Sequence, residues 1–106
     1  MSLPLILRSE AEADVAAACD QMDVVRAGLG RMFVVRLRDV LERLEAIPEL
    51  HGFAWQDVRA VRLKQFQHLV YYVVFADRIE VLAVLHGARD ASSWQSRAPQ
   101  TKKARE

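Results

Sequence analysis

Two stretches in the first half of the chain carry apolar residues at helical spacing. Gly28 predicts the end of the first helix and Pro48 the end of the second, while Ser9 and Glu12 predict a capping box at the start of the first. Because the link around Gly28 is so short, the two helices are expected to form an antiparallel hairpin. The two predicted stripes are Ala11, Val15, Ala18, Cys19, Met22 and Val25, then Phe33, Leu37, Val40, Leu41, Leu44 and Ile47.

From Val58 onward the apolar residues alternate instead, with Val61 and Leu63 on one side and Arg62 and Lys64 on the other. β-Branched and aromatic residues then dominate two further predicted strands, which are joined by a short hairpin connection. The N-terminal apolar segment predicts a first strand, and the segment that follows the helices predicts a loop. These segments are 3–7 (strand), 49–57 (loop), 69–75 and 79–85 (strands).

The predicted order is therefore β-α-α-β-β-β. It indicates an α+β fold, with the N-terminal strand and the helical hairpin packed on one face of an antiparallel sheet. The strands at 69–75 and 79–85 are apolar on both alternating sets, which is typical of strands buried on both faces. Two helices cover one face, and no other segment is long and apolar enough to cover the second. A partner chain is expected there, unless a strongly curled sheet shields itself with its own tyrosine and phenylalanine residues.

The 106 residues are enough for one domain, predicted over 1–97, and a polar, basic and mobile tail is expected over 98–106. The formal charge of +1 conceals an uneven distribution. Residues 1–57 contain six basic and ten acidic side chains, a net charge of −4, whereas residues 58–106 contain nine and four, a net charge of +5. A recognition surface is therefore expected in the second half of the chain.

Several classes of protein are disfavoured by the sequence. The single cysteine, Cys19, excludes an internal disulfide, and three histidines without ligand spacing give no support for a metal site. No cofactor motif is present. The apolar N-terminal segment is too short for a signal peptide, and no stretch approaches the roughly 18 apolar residues of a membrane span. The sequence therefore predicts a cytoplasmic protein that needs no membrane, metal or cofactor.

Six segments, in order and at the right distances, resemble the ParE branch of the RelE/ParE superfamily, the toxins of bacterial type II toxin–antitoxin modules. The sequence departs from the family pattern at Gln67, where proline is usual, and at His68, where an aromatic residue is common. The similar segments are 9–14, 28–33, 44–48, 61–66 with 69–72, and 81–90, followed by Trp94 and Arg97.

The resemblance implies a plasmid-stabilisation toxin that is not an enzyme. It implies that the protein binds DNA gyrase, traps it on cleaved DNA, and is neutralised in a hetero-oligomer by a ParD-like antitoxin. No direct binding to nucleic acid is expected. The candidate antitoxin- or target-binding residues are Arg62, Lys64, Tyr72, His86, Arg89, Trp94 and Arg97.

Two alternatives remain open at this point. The RelE branch cleaves messenger RNA on the ribosome with basic residues and a C-terminal tyrosine, and the tyrosine position is filled here by Trp94, which has no titratable group. Ribonuclease activity is therefore disfavoured, and no catalytic residue is assigned. A non-toxic relic that only binds its antitoxin is the other alternative. For Arg62 and Lys64 the competing interpretation is a solvated sheet face, and for His86 it is a ring that fixes the following turn by hydrogen bonding.

Overall fold

The helical hairpin forms where the apolar stripes predict it. The computed structural model describes residues 3–99, and in it α1 spans Ser9–Val25 and α2 spans Leu29–Ala46. Gly28 has a φ of +90°, a backbone conformation that glycine adopts at little cost. The predicted capping box is wrong, because α1 begins after Arg8 and no side chain caps its first amides.

The two helices approach most closely at Gly30. A Cβ atom added there would lie 2.9 Å from the carbonyl oxygen of Cys19 and 2.9 Å from the Asp23 carboxylate, so no larger residue fits. The Gly30 amide also donates to Asp23 Oδ1 at 2.9 Å. This contact fixes the hairpin just after the turn.

One sheet contains five strands, which are β1 Leu5–Leu7, β2 Phe53–Trp55, β3 Val58–Arg62, β4 His68–Val74 and β5 Ile79–His86. Their order in the sheet is β1-β5-β4-β3-β2, which confirms the α+β class. β2 to β5 are antiparallel neighbours, whereas β1 runs parallel to β5, so the sheet is mixed and not purely antiparallel. β1 leads into α1 after one residue, and α1 packs over β5. The remaining element is the short helix α3, Ser92–Gln95.

Two short elements differ from the predictions. β2 lies in the segment predicted to be a loop, and its three residues pair with the start of β3 through an irregular register. α3 falls between the predicted strands and the predicted tail. Of that tail, residues 100–106 lie outside the described residues. Neither element is long enough to produce a periodic pattern in the sequence.

The first core lies between the helices and the sheet. Phe33, Leu37, Val40 and Leu44 from α2 are buried, as the α2 stripe predicts, whereas Ile47 at its end is 52% exposed. Their partners in this core are Ala11, Ala18, Leu63, Val70, Tyr72, Ile79, Val81 and Val84.

In residues 3–99 no helix has the length and apolar character needed to cross a bilayer.

A second core lies on the opposite face of the sheet. Trp94 of α3 stacks on Tyr71 with ring centroids 4.3 Å apart, and its edge contacts Trp55 at 6.2 Å. With them are buried Val58, Val73, Leu82, Ala83 and Leu85. The expectation that this face needs a partner chain is therefore wrong, because the C-terminal segment of the same chain covers it.

Candidate functional site

Four exposed basic side chains lie at one end of the sheet. β3 ends at Arg62 and β5 ends at His86, while Lys64 and Arg89 follow in the connections after these strands. The two connections are joined by a hydrogen bond of 2.8 Å from the Gly87 amide to the Gln67 carbonyl oxygen. We refer to Arg62, Lys64, His86 and Arg89 as the basic rim. A surface of this kind attracts carboxylate and phosphate groups.

His68, at the start of β4, lies directly behind the basic rim. Its ring is opposite that of His86, with centroids 5.4 Å apart, and contacts the Phe33 ring edge-on at 4.9 Å. His68 Nδ1 is buried and has no hydrogen-bond partner within residues 3–99. His86 Nδ1 instead accepts from the Ala88 amide at 3.0 Å, which agrees with a ring that fixes the turn after β5.

The position of His68 makes the fold sensitive to acid. Burial, and secondarily the neighbouring His86, lower the pKa of His68 below its ordinary value of 6.5. The unfolded chain therefore takes up this proton at a higher pH than the folded chain, and stability is lost as the pH falls below about 6.5.

We expect the urea concentration at the unfolding midpoint of the wild type to decrease when the pH is lowered from about 7 to about 5. A His68→Phe variant should lose less stability over the same pH range. Phenylalanine keeps the ring against Phe33 and removes the titrating group. Burial also lowers the pKa of His51, so the stability of His68→Phe should still depend on pH to some extent. An added His51→Gln substitution should reduce this remaining dependence. If the urea midpoint depended on pH equally in the wild type and in His68→Phe, His68 would not be the cause of the acid sensitivity.

Two recesses flank the basic rim. A groove of about 540 Å³ lies between α2 and β3, and Arg36 and Arg43 line it together with Arg62 and Lys64. A smaller cleft of about 220 Å³ lies between α1 and the end of β5, with His86 and Arg89 among its lining residues. The exposed basic candidates therefore belong to two adjoining surfaces.

Three of the predicted site residues lie inside the fold. Tyr72 is fully buried in the first core, where its hydroxyl donates to the Pro48 carbonyl oxygen at 3.2 Å, and burial raises its pKa. Trp94 is 6% exposed. Arg97 is held by Asp14 at 2.7 Å and donates to the Leu82 carbonyl oxygen at 3.1 Å. These side chains stabilise the fold and present little surface to a partner.

Two groups of functional interest are not among the residues predicted from the sequence. The first is Arg36 and Arg43 of α2, whose spacing of seven positions puts them on the same side of that helix and is the sequence signal for a shared surface. The second is Asp14, which lies between Ala11 and Ala18 on the buried stripe of α1. A carboxylate at an apolar stripe position is a signal of a buried polar contact.

Metal-ligand clusters and the single thiol are two features of the described residues that bear on their chemistry. Within 3–99 no three histidine, cysteine, aspartate or glutamate side chains come together as metal ligands. Burial, followed by the charges of Asp23 and Asp20, raises the pKa of the Cys19 thiol, which keeps it a poor nucleophile. The basic rim therefore offers cationic and imidazole groups suited to binding anionic surfaces.

Comparisons with known proteins agree with this fold. The sequence model of the family described as "ParE toxin of type II toxin-antitoxin system, parDE" matches residues 5–91. A solved structure described as "Chromosomal ParDE TA system from P. aeruginosa" is similar with a TM-score of 0.72 and 17% sequence identity, over 80% of this chain and 96% of that chain. At this identity the structural likeness concerns the fold alone. The curated proteins contain no match to the sequence.

Proposed function

The chain belongs to the ParE toxin family of type II toxin–antitoxin systems, and we propose that it acts by binding and inhibiting DNA gyrase. The family match over residues 5–91 is the observation that carries this proposal. The exposed basic rim is the surface that we assign to the target, with Arg89 as the first residue to test. A positively charged surface of this kind is suited to an acidic protein surface.

The proposed mode of action is binding and not catalysis. The tyrosine that the ribonuclease branch of the superfamily uses is replaced by Trp94, which is stacked on Tyr71 in the second core. Tyr71 and Tyr72 are buried, and burial raises the pKa of both hydroxyls, which makes them weaker proton donors. These positions support a toxin that does not cleave RNA.

We further propose that a ParD-like antitoxin neutralises the protein in a cytoplasmic hetero-oligomer. The similar solved structure is described as a ParDE system, which supports a partner of this class. The charge of the basic rim also favours a partner segment rich in aspartate and glutamate.

Expression of the chain alone in bacteria tests the proposal. We expect filamentation with DNA-damage signalling, and inhibition of gyrase supercoiling by the purified chain. Arg89→Glu should weaken the inhibition by about tenfold or more, because it reverses a charge on the binding surface, whereas Arg38→Glu on the exposed side of α2 should not. Rapid loss of translation with cleaved messages would instead support a ribonuclease, and normal growth would support a relic without toxicity.

A further inference from the structure

Three large apolar side chains in a short segment after α2 are exposed. Ile47 is 52% exposed, Leu50 is 53% exposed and Phe53 is 58% exposed. Apolar side chains that are scattered singly over a surface are ordinary, whereas a group of them within one segment marks a contact surface. We refer to residues 47–53 as the apolar segment.

Hydrogen bonds hold the apolar segment in a fixed shape. The Leu50 amide donates to the Ile47 carbonyl oxygen at 3.2 Å, and Arg59 Nη1 donates to the His51 carbonyl oxygen at 2.6 Å. The guanidinium carbon of Arg59 also lies 4.0 Å from the centroid of the Phe53 ring. Because the segment is already ordered, little conformational entropy is lost when a partner binds it.

The open edge of the sheet runs through the same segment. The Ala60 amide of β3 donates to the Gly52 carbonyl oxygen at 3.4 Å. Phe53, which lies opposite Arg59, is the next residue along. Successive residues of an antiparallel strand direct their N–H and C=O groups to opposite sides, so the groups of Phe53 face away from β3. Since no strand lies beyond β2 within residues 3–99, Phe53 offers one donor and one acceptor at this edge.

An edge of this kind can pair with a second copy of itself. When two identical strands meet antiparallel about a two-fold axis at one residue, the N–H of each copy donates to the C=O of the other. Paired residues also direct their side chains to the same face of the sheet, so the two Phe53 rings would lie side by side. The backbone and the apolar side chains therefore favour the same partner.

The charge of the apolar segment favours a second copy over an acidic partner. Its one acidic residue, Glu49, lies 3.9 Å from Arg59, and the segment contains no lysine or arginine of its own. The two charges balance, so two copies of the segment do not repel each other. The basic rim, by contrast, would repel its own copy, and the acidic groups that it attracts find no excess of positive charge here.

We propose that two copies of this chain associate through the apolar segment and pair their β2 edges at Phe53, which forms one continuous sheet about a two-fold axis. The exposed parts of the three apolar side chains supply on the order of 300 Å² per copy, against about 800 Å² of total surface per partner in a stable interface. The dimer is therefore weak and forms at high local concentration. The apolar segment contains no residue of the basic rim, so the inference is independent of the proposed target.

Sedimentation velocity of the purified full chain, without antitoxin, tests the association. Between about 1 and 300 μM the sedimentation coefficient should rise from that of a monomer towards that of a dimer, with a dissociation constant of about 10–100 μM. Phe53→Ser should weaken the association by about tenfold or more. Val24→Ser, which removes an 87% exposed valine near the end of α1, should not change it. A monomer at every concentration, or equal effects of the two substitutions, would overturn the proposal.

Amide hydrogen exchange in the wild type locates the pairing without relying on a variant. Exchange of the Phe53 amide should slow by about threefold or more from the lowest to the highest concentration, whereas that of Gly28, between the helices, should stay the same. A dimer in which Phe53 exchanges at the monomer rate would refute the paired edge. Protection of Phe53 that appears only when an antitoxin is added would assign the segment to that partner, and would also refute the proposal.

Discussion

Replacing Trp94 by alanine is expected to destabilise the fold by about 3–5 kcal/mol, the range for removing a large aromatic side chain from a core. Its ring is 6% exposed and stacks on Tyr71 at an interplanar angle of 13°. Removal leaves a space between Trp55 and Tyr71 that a four-residue helix is poorly able to fill by moving. Equilibrium urea unfolding measures the loss.

The Trp94→Ala variant should also expose the second core. A dye that fluoresces on apolar surfaces should therefore bind the folded variant more strongly than it binds the wild type. Trp94→Phe serves as the control, because it retains an aromatic ring against Tyr71 and should lose much less stability. If Trp94→Ala had the same urea midpoint of unfolding as the wild type, the C-terminal segment would not be what covers the second core.

The error about the second face has a physical origin. The sequence shows that residues 69–75 and 79–85 are apolar on both sides, and the structure confirms that both sides are buried. The C-terminal segment that covers the second core could not be predicted, because it consists of one large side chain, Trp94, on a short helix, with Trp55 and Ala98 beside it. No periodic pattern marks such an element.

The long elements could be predicted because their signals are local. The α2 stripe extends over at least two turns, and the runs of β-branched and aromatic residues that form β4 and β5 are seven and eight residues long. Pairings that depend on distant residues could not be predicted in this way. The parallel contact of β1 with β5 joins residues about 74 positions apart, from Leu5 to Ile79, and no local residue preference encodes it.

The candidate site was predicted in part for a similar reason. Arg62 and His86 are the last residues of β3 and β5, and Arg89 follows β5, so their exposure could be anticipated from where the apolar segments end. Arg43 lines the same groove as Arg62 and Lys64 because of how α2 lies over β3, which only the packed structure defines. Whether these residues contact an antitoxin or a target stays a prediction for the binding experiments.

A bulge in β5 explains why Arg97 and Asp14 matter to the fold. Tyr72 is opposite Val81 and Tyr71 is opposite Ala83, so Leu82 is an extra residue that changes which backbone groups face the outer edge. β1 pairs with β5 only at residues 79–81, and the edge beyond it has no strand beside it in residues 3–99. Side chains satisfy this edge instead.

Asp14 of α1 and Arg97 of the C-terminal segment provide those side chains. Asp14 Oδ2 accepts from the Val84 amide at 3.0 Å, and Arg97 Nη1 donates to the Leu82 carbonyl oxygen at 3.1 Å. The two side chains also form an ion pair at 2.7 Å, with side-chain exposures of 10% and 19%. The pair joins α1, β5 and the cover of the second core, and it blocks addition of a strand at this edge.

We therefore expect Asp14→Ala to reduce the free energy of unfolding by about 2–4 kcal/mol, since it leaves a mostly buried guanidinium and a buried amide without their acceptor. Asp14→Asn should lose less, because its amide oxygen still accepts from Val84. Asp20→Ala, on the exposed side of the same helix, should change the free energy by less than about 0.5 kcal/mol.

A double-mutant cycle separates the ion pair from the amide contact. When Arg97→Ala is already present, Asp14→Ala should destabilise by about 1–2 kcal/mol less than it does alone, because no unpaired guanidinium remains in the fold. The residual loss then reports the hydrogen bond to Val84. Additive effects of the two substitutions in urea unfolding would mean that the pair contributes no coupling, and that the C-terminal segment is held chiefly by Trp94.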